Sequence, residues 1–175
     1  MKKVLVATES RHGATAELGR LVGQVLEDLG HDVDVRRIED VESLAPYDAF
    51  VVGSAVYMGS WPKVARAFVE SHREELSAHP TWLFSSGPVG RSPDGMIGDV
   101  SADELVLLTG ARDHHVFGGK LDQSALGVRE RAFARFLRVR EGDYREWGAA
   151  VAWATAIGRV LADPPLVAQS VRRVP

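Results

Sequence analysis

An eight-residue segment at positions 8–15, TESRHGAT, has the residue types and spacing needed to hold a phosphate group. An apolar run, KVLVA, precedes it and a helical pattern, ATAELGRLVGQVLEDLG, follows it, so a strand leads through a tight turn into a helix. The first turn of a helix leaves backbone N–H groups unpaired at the positive end of the helix dipole. Two hydroxyl side chains, a glycine and two basic side chains at this junction predict a phosphate-binding loop. The residues concerned are Ser10, Arg11, His12, Gly13 and Thr15.

A plain strand-to-helix turn is the alternative interpretation of the same segment. In that case Ser10 caps the helix and Gly13 completes the turn, which are ordinary roles for these residue types. The segment contains neither G-x-x-x-x-G-K-[ST] nor G-x-G-x-x-G, so a P-loop nucleotide site and a dinucleotide site are not supported. A small monophosphate ligand fits the pattern better.

The composition narrows the classes of protein that fit. A chain of 175 residues with 45% hydrophobic and 26% charged residues indicates one globular domain with a substantial core. The absence of cysteine excludes disulfides, Cys-ligated zinc, iron–sulfur clusters and thiol nucleophiles, and it fits a cytoplasmic protein. The scattered His and acidic residues predict no metal site. We find no signal peptide and no apolar stretch long enough to cross a bilayer.

Charge is distributed unevenly along the chain. Residues 1–110 contain 10 Lys and Arg against 17 Asp and Glu, whereas residues 111–175 contain 11 against 7. The domain as a whole is not basic, so we expect no nucleic-acid partner. The basic excess concentrates in a predicted helix within 126–140, which is interpreted either as a core-packed helix with a solvated arginine face or as a transient membrane-surface contact.

Apolar runs and helical patterns alternate along the chain, which predicts a parallel α/β sheet covered on both faces. The predicted strands are 3–8, 32–38, 49–54, 81–86 and 114–119, and the predicted helices are 14–29, 62–76, 102–109, 124–138 and 145–162. The second strand alternates apolar and polar residues while the first, third and fourth are almost continuously apolar. This difference favours the doubly wound order 2-1-3-4-5, in a domain spanning 1–162 with a tail at 163–175.

Ligands of such a sheet bind at the carboxyl ends of its strands, near the switch point between strands 1 and 3. The loops expected there include 8–15, 53–61 and 85–92. The second, GSAVYMGSW, and the third, SSGPVGRS, are rich in Gly and Ser, so their backbones can approach a flat polar ring. Tyr57 or Trp61 is a candidate to lie against that ring, although Trp61 precedes Pro62 and can instead pack at a helix start.

These motifs, taken in order, resemble those of the flavodoxin-like proteins, which bind flavin mononucleotide (FMN). The resemblance covers residues 1–162 and is greatest to the branch that contains bacterial menaquinone-dependent protoporphyrinogen dehydrogenases. Its cues are RHGAT, VVGSAVYMG, FVESHREELS, FGGKLD and GDYREWGAAVAWATAI.

The resemblance implies that FMN binds at three loops. The phosphate would contact Ser10, Arg11, His12, Gly13, Ala14 and Thr15. The ring would lie between Ser54, Ala55, Val56, Tyr57, Met58 and Gly59 on one side and Ser86, Gly87, Pro88, Val89 and Gly90 on the other. Two departures stand out: Ala14 replaces the Asn of common flavodoxins, and the third loop contains no aromatic residue. One ring face is therefore expected to be open, which suits direct exchange with a substrate. The third loop has no acid before Asp94 to oppose the negative charge of a reduced flavin, so a preference for two-electron chemistry is predicted.

The implied function is an FMN-dependent oxidoreductase that works on a small molecule or a quinone. The named activity that the resemblance implies is that of a menaquinone-linked protoporphyrinogen IX dehydrogenase, located in the cytoplasm or at the inner membrane face. A porphyrinogen would need an apolar pocket, which 91–113 would have to cover.

Two other functions remain open on the sequence. One is an electron carrier that docks on redox proteins through an acidic rim, for which only Glu9 and Asp94 are available. The other is a module that has lost its cofactor. No side chain stands out as an acid–base catalyst, and His114 and His115 are expected to be structural.

Overall fold

The structure, a computed structural model, describes residues 1–57, 59–87, 102–121, 142–143 and 145–162. Within these ranges the strands are β1 Lys3–Glu9, β2 Asp32–Arg37, β3 Ala49–Ala55, β4 Thr81–Gly87, β5 His114–Gly118, β6 Lys120–Leu121 and β7 Gly142–Asp143. The helices are α1 Ala14–Asp28, α2 Lys63–Ser71, α3 Arg73–Ala78, α4 Asp103–Thr109 and α5 Trp147–Ala162, with a short 3₁₀ turn at Ile38–Asp40.

The described strands β1 to β5 form one parallel sheet in the order β2-β1-β3-β4-β5, which confirms the predicted doubly wound topology. The three central strands are buried almost throughout, whereas β2 lies at an edge and is mostly exposed. The contrast between continuous and alternating apolar runs in the sequence reflects this difference in burial. The short strands β6 and β7 pair separately in an antiparallel ribbon.

Helices cover both faces of the sheet, as predicted. On one face α1 and α5 pack over a core that includes Val6, Val22 and Trp153. On the other face the 3₁₀ turn, α2, α3 and α4 enclose a second core around Phe50 and Trp61. Adjacent residues of each central strand alternate between the two cores, so both faces of β1, β3 and β4 exclude water.

The close approach of β3 and β4 depends on a glycine. A Cβ at Gly53 would lie 2.0 Å from the Cζ atom of Phe84, whose ring is fully buried. The glycine therefore makes room for the aromatic ring in the core and sets the path of β3 immediately before its carboxyl end.

Helix α1 ends at Asp28, one residue before the end of the predicted helix at 14–29. Gly30 has a φ of 86° and donates its N–H to the carbonyl of Glu27, while the N–H of His31 reaches the carbonyl of Leu26. This is the Schellman arrangement, in which a left-handed glycine completes the helix C-terminus.

The third predicted element differs from its prediction. The expected helix at 62–76 is two helices, α2 and α3, separated at His72, where φ is −111°. The ring of His72 packs on Phe68 with a centroid distance of 4.8 Å. The predicted helix at 124–138 and the predicted tail at 163–175 lie outside the described residues.

Candidate functional site

The N-terminus of α1 is open toward the carboxyl edge of the sheet. Gly13 occupies the N-cap position with φ 83° and ψ −20°, and no side chain among the described residues caps the helix there. The interpretation of Ser10 as a helix cap is therefore wrong. The N–H of Glu17 bonds to the Gly13 carbonyl at 3.0 Å, so the helical hydrogen-bond pattern starts at this turn. The N–H groups of the first turn and the positive end of the dipole remain available to an anion.

The side chains of the phosphate loop divide into buried and exposed groups. Thr15 is only 2% exposed, whereas Arg11 and His12 are exposed and Ser10 is half-buried. The Arg11 guanidinium lies 5.4 Å from the centroid of the Tyr57 ring. This cation–π contact brings the loop after β1 against the loop after β3, as the predicted site requires.

The loop after β3 is a tight backbone turn. The N–H of Tyr57 bonds to the Ser60 carbonyl at 2.9 Å, and the Ser60 N–H returns to the Tyr57 carbonyl at 3.1 Å. Gly59 takes a φ of 79° within that turn. Ser54 and Val56 are buried, and the Ser54 hydroxyl donates to the Ala55 carbonyl at 2.9 Å.

Backbone pairing continues to the end of β4, just past the end of β3. The N–H of Val56 donates to the Ser86 carbonyl at 2.9 Å, where β3 and β4 end. Ser86 is buried and Gly87 is half-buried at the start of the third loop. Four of the predicted contact residues lie outside the described residues; these are Met58, Pro88, Val89 and Gly90.

Trp61 does not lie against the proposed ring position. It is 2% exposed, and its indole N–H donates to the Ser85 hydroxyl at 2.8 Å. The Ser85 oxygen lies 2.8 Å from Nε2 of His114, so the hydroxyl links the Trp61 indole to the His114 ring, and the His114 tautomer sets whether the hydroxyl or the ring donates. Burial lowers the pKa of His114, which favours the neutral ring. Trp61 is a candidate ring contact because it lies close to Tyr57 in sequence, but its side chain packs at the start of α2.

A family model identifies the family to which this chain belongs. The model of the flavodoxin domain matches residues 5–146, which is well over half of the chain. The chain belongs to the flavodoxin domain family.

Comparison with known proteins places this flavodoxin domain among distant relatives. The protoporphyrinogen IX dehydrogenase [quinone] of Escherichia coli strain K12 is 28% identical over 94 residues, which are 53% of this chain and 52% of that protein. The match thus spans about half the length of that relative. Two solved structures share the fold over nearly their whole length. An archaeal flavodoxin has a TM-score of 0.60 at 17% identity, covering 92% of this chain and 99% of that one. Flavodoxin 1 of Bacillus cereus has a TM-score of 0.59 at 13% identity, covering 93% and 99%.

Glu9 is a feature of the site that sequence reasoning assigned to an exposed rim, and this assignment is wrong. Glu9 is only 6% exposed at the last position of β1, where it pairs with Ser54 of β3. Among the described residues nothing forms a hydrogen bond with its Oε2 atom. Burial raises the pKa of the Glu9 carboxyl, against the opposing effect of the Arg11 charge. The position of Glu9 directly after a run of residues expected to be buried in a central strand is the one sequence signal for its burial.

Arg145 is a second residue that the sequence did not identify. Its side chain is 4% exposed, and its Nη1 atom lies 2.6 Å from Oε2 of Glu17 in the first turn of α1. The guanidinium also lies 4.3 Å from the centroid of the Trp147 ring. Arg145 thereby joins the start of α5 to the helix end that carries the phosphate loop, across a separation of 128 residues.

The described ranges contain neither a cluster of metal ligands nor a membrane-spanning helix. Within them, no three His, Asp or Glu side chains group together in a way that would hold a metal ion. No helix in the same ranges has the length and apolar character required to span a bilayer.

Proposed function

We propose that this flavodoxin domain binds FMN at the carboxyl edge of its sheet and acts as an FMN-dependent oxidoreductase. One observation carries the proposal: the N-terminus of α1 begins behind a left-handed Gly13, with no capping side chain in the described part of the chain. This helix end lies at the switch point between β1 and β3, where ligands of doubly wound sheets bind.

The residues present fit a phosphate group. A Cβ placed on Gly13 would meet nothing within 4 Å, so there is open space beside the first turn of α1. The phosphate of FMN would receive hydrogen bonds from backbone N–H groups of this turn and from hydroxyls of Ser10 and Thr15. The exposed Arg11 and His12 would add positive charge around it.

The flat ring would lie between the second and third loops. The Val56–Ser86 backbone bond, where β3 and β4 end, and the Tyr57–Ser60 turn support this placement. Tyr57 is half-buried, and the Arg11 contact holds its ring toward the first loop. When bound, the flavin supplies hydride or electron transfer, while the protein orients it and excludes water from one side.

We further propose a quinone-linked oxidation of a porphyrinogen as the reaction. This finer proposal is supported by the name of the Escherichia coli relative and by the motifs that resemble its branch. The alternative is an electron carrier that docks on redox proteins. Burial of Glu9 removes one of the two acids expected in a docking rim, so the observation favours the enzyme. Asp94, the other acid, lies outside the described residues.

Anaerobic turnover separates the two proposals. FMN-loaded protein is mixed with protoporphyrinogen IX and a soluble menaquinone analogue, and porphyrin fluorescence is followed. Porphyrin formation that requires both FMN and the quinone supports the dehydrogenase. Absence of turnover, combined with rapid electron exchange with a flavodoxin reductase, supports the carrier and contradicts the dehydrogenase.

A further inference from the structure

A buried carboxyl adjoins the proposed phosphate loop. Glu9 is the residue immediately before Ser10, so its Cα lies about 3.8 Å from the first Cα of the loop. The side chain is on the β1 face that carries Leu5 and Ala7, beneath the loops at the edge of the sheet. Because it is almost entirely shielded from solvent, water screens its charge only weakly.

The charges around Glu9 come from three parts of the chain. Arg11 approaches from the phosphate loop, and Arg37 and Glu39 approach from the end of β2 and the 3₁₀ turn. Arg37 and Glu39 form an ion pair with each other, so much of their effect on Glu9 cancels. Ser54, the neighbour of Glu9 on β3, also favours the ionised carboxyl and so opposes the rise in its pKa. Arg11 is therefore the main positive charge that favours the ionised form.

A bound phosphate would change this balance in one direction. It brings a charge of about −1.5 to −2 to the loop that begins at Ser10. That charge repels an ionised Glu9, and it also offsets the effect of the Arg11 guanidinium on the carboxyl. Both effects favour the protonated acid, as burial does already, since Oε2 has no hydrogen-bond partner within the described ranges.

We propose that Glu9 takes up one proton from solvent when a dianionic phosphate binds at residues 10–15, so that phosphate and proton bind together. The inference rests on the proposed function because it requires a phosphate-bearing ligand in this loop. Glu9 then acts as a positioning residue that makes ligand affinity depend on pH. By linkage, affinity is highest at low pH and falls as the pH rises from the pKa of Glu9 in the free protein to its pKa in the complex.

Isothermal titration calorimetry with FMN and riboflavin tests the proposal, since riboflavin has the same ring and ribityl chain without the phosphate. Titrations in two buffers of different ionisation enthalpy give the number of protons taken up at each pH. We expect uptake of up to one additional proton with FMN in the wild type. Between the pKa of Glu9 in the free protein and its pKa in the complex, each added pH unit should raise the FMN dissociation constant of the wild type. The factor should be up to about tenfold larger than the factor for Glu9→Gln.

Three variants assign the proton to Glu9. Glu9→Gln keeps the shape of the side chain and should bind FMN more tightly than the wild type at high pH and equally at low pH. Glu27→Gln, which changes an exposed acid near the other end of α1, should behave as the wild type. His12→Asn measures any uptake by the one histidine in the loop. The phosphate of FMN itself titrates near pH 6, equally in all variants.

The outcomes distinguish the two proposals. If FMN binds but the wild type and Glu9→Gln have the same pH dependence, or if His12→Asn alone abolishes the uptake, the inference about Glu9 is wrong and the proposed function stands. If FMN does not bind at all, the proposed function fails. Should Glu9→Gln not fold, equal proton uptake by the wild type with FMN and with riboflavin at pH 7.5 overturns the inference independently.

Discussion

At the residue scale, the phosphate site depends on the backbone conformation of Gly13. A φ of 83° places this residue in the left-handed region, where a side chain costs about 1–2 kcal/mol. The space around a Cβ at this position is open, so the cost of a substitution comes from conformation and not from a steric clash. The glycine therefore allows the chain to turn from β1 into α1 without a capping side chain.

We expect Gly13→Ala to lower the free energy of unfolding by about 1–2 kcal/mol and to weaken FMN binding, because the first turn must distort to relieve the strained residue. Urea denaturation and flavin fluorescence titration measure the two effects. Gly148→Ala is the control, since a Cβ there also meets nothing within 4 Å but the residue lies in helix α5 without a positive φ. An equal effect of the two substitutions would contradict the role of the Gly13 conformation.

At the element scale, a buried chain of hydrogen bonds from Trp61 through Ser85 to His114 joins the start of α2 to β4 and β5. These three residues are remote in sequence but close in the fold, directly below the loops that would enclose the ring. Burial lowers the pKa of His114, so the neutral ring is favoured at this end of the chain of hydrogen bonds.

His114 should give the protein a stability that depends on pH. Its pKa is lower in the folded protein than in the unfolded chain, so the unfolded state binds the proton more readily. The contribution is complete above the unfolded pKa of about 6.5 and is lost as the pH falls toward the folded pKa. We expect urea denaturation between pH 7.5 and 5 to show a decline in stability that is shallower in His114→Gln. Parallel curves for the two proteins would refute this expectation.

The packing of β3 on β4 makes a second prediction at the element scale. Gly53→Ala would place a Cβ 2.0 Å from the ring of Phe84, and a buried ring cannot move aside freely. We expect a loss of at least about 1–3 kcal/mol in urea denaturation. Gly87→Ala is the matched control on the neighbouring strand, because its nearest contact would be Val56 Cβ at an ordinary 3.9 Å. A loss no larger in Gly53→Ala than in Gly87→Ala would contradict the close packing.

The elements that were predictable share a local signal. Continuous apolar runs identified the central strands, and alternation identified β2 as an edge. The break between α2 and α3 was missed because it occurs at His72, where no proline or glycine interrupts the helical pattern. Local patterns therefore determined the topology but not the continuity of each helix.

The parts of the site that were missed depend on contacts distant in sequence. Glu9 is buried at the end of β1, where it pairs with Ser54 of β3, and Trp61 is buried with a hydrogen-bond partner on β4. Arg145 meets Glu17 only because α5 returns beside α1. No spacing along the chain signals these contacts, whereas the phosphate loop was visible because its residues are consecutive.

At the scale of the whole molecule, α5 packs on α1, and the Arg145–Glu17 ion pair connects the two helices near the proposed phosphate loop. The two partners differ in their surroundings, since the side chain of Arg145 is 4% exposed and that of Glu17 is 46% exposed. Removing the Glu17 carboxylate therefore leaves the buried Arg145 cation with less compensating negative charge, and a buried charge that loses its partner destabilises the fold.

We expect Glu17→Gln to lower the free energy of unfolding by about 1–2 kcal/mol, as measured by urea denaturation. Glu27→Gln is the control on the same helix, and as an exposed substitution it should change stability by less than about 0.5 kcal/mol. If both substitutions have equally small effects, the Arg145–Glu17 ion pair does not stabilise the packing of α5 on α1.

The measurement that tests the central claim most directly is a titration of the apoprotein with FMN and with riboflavin, followed by quenching of flavin fluorescence. We predict one FMN per chain, with riboflavin bound much more weakly because the open N-terminus of α1 recognises the phosphate. Equal affinity for the two flavins, or no binding of either, would contradict a phosphate site at residues 10–15.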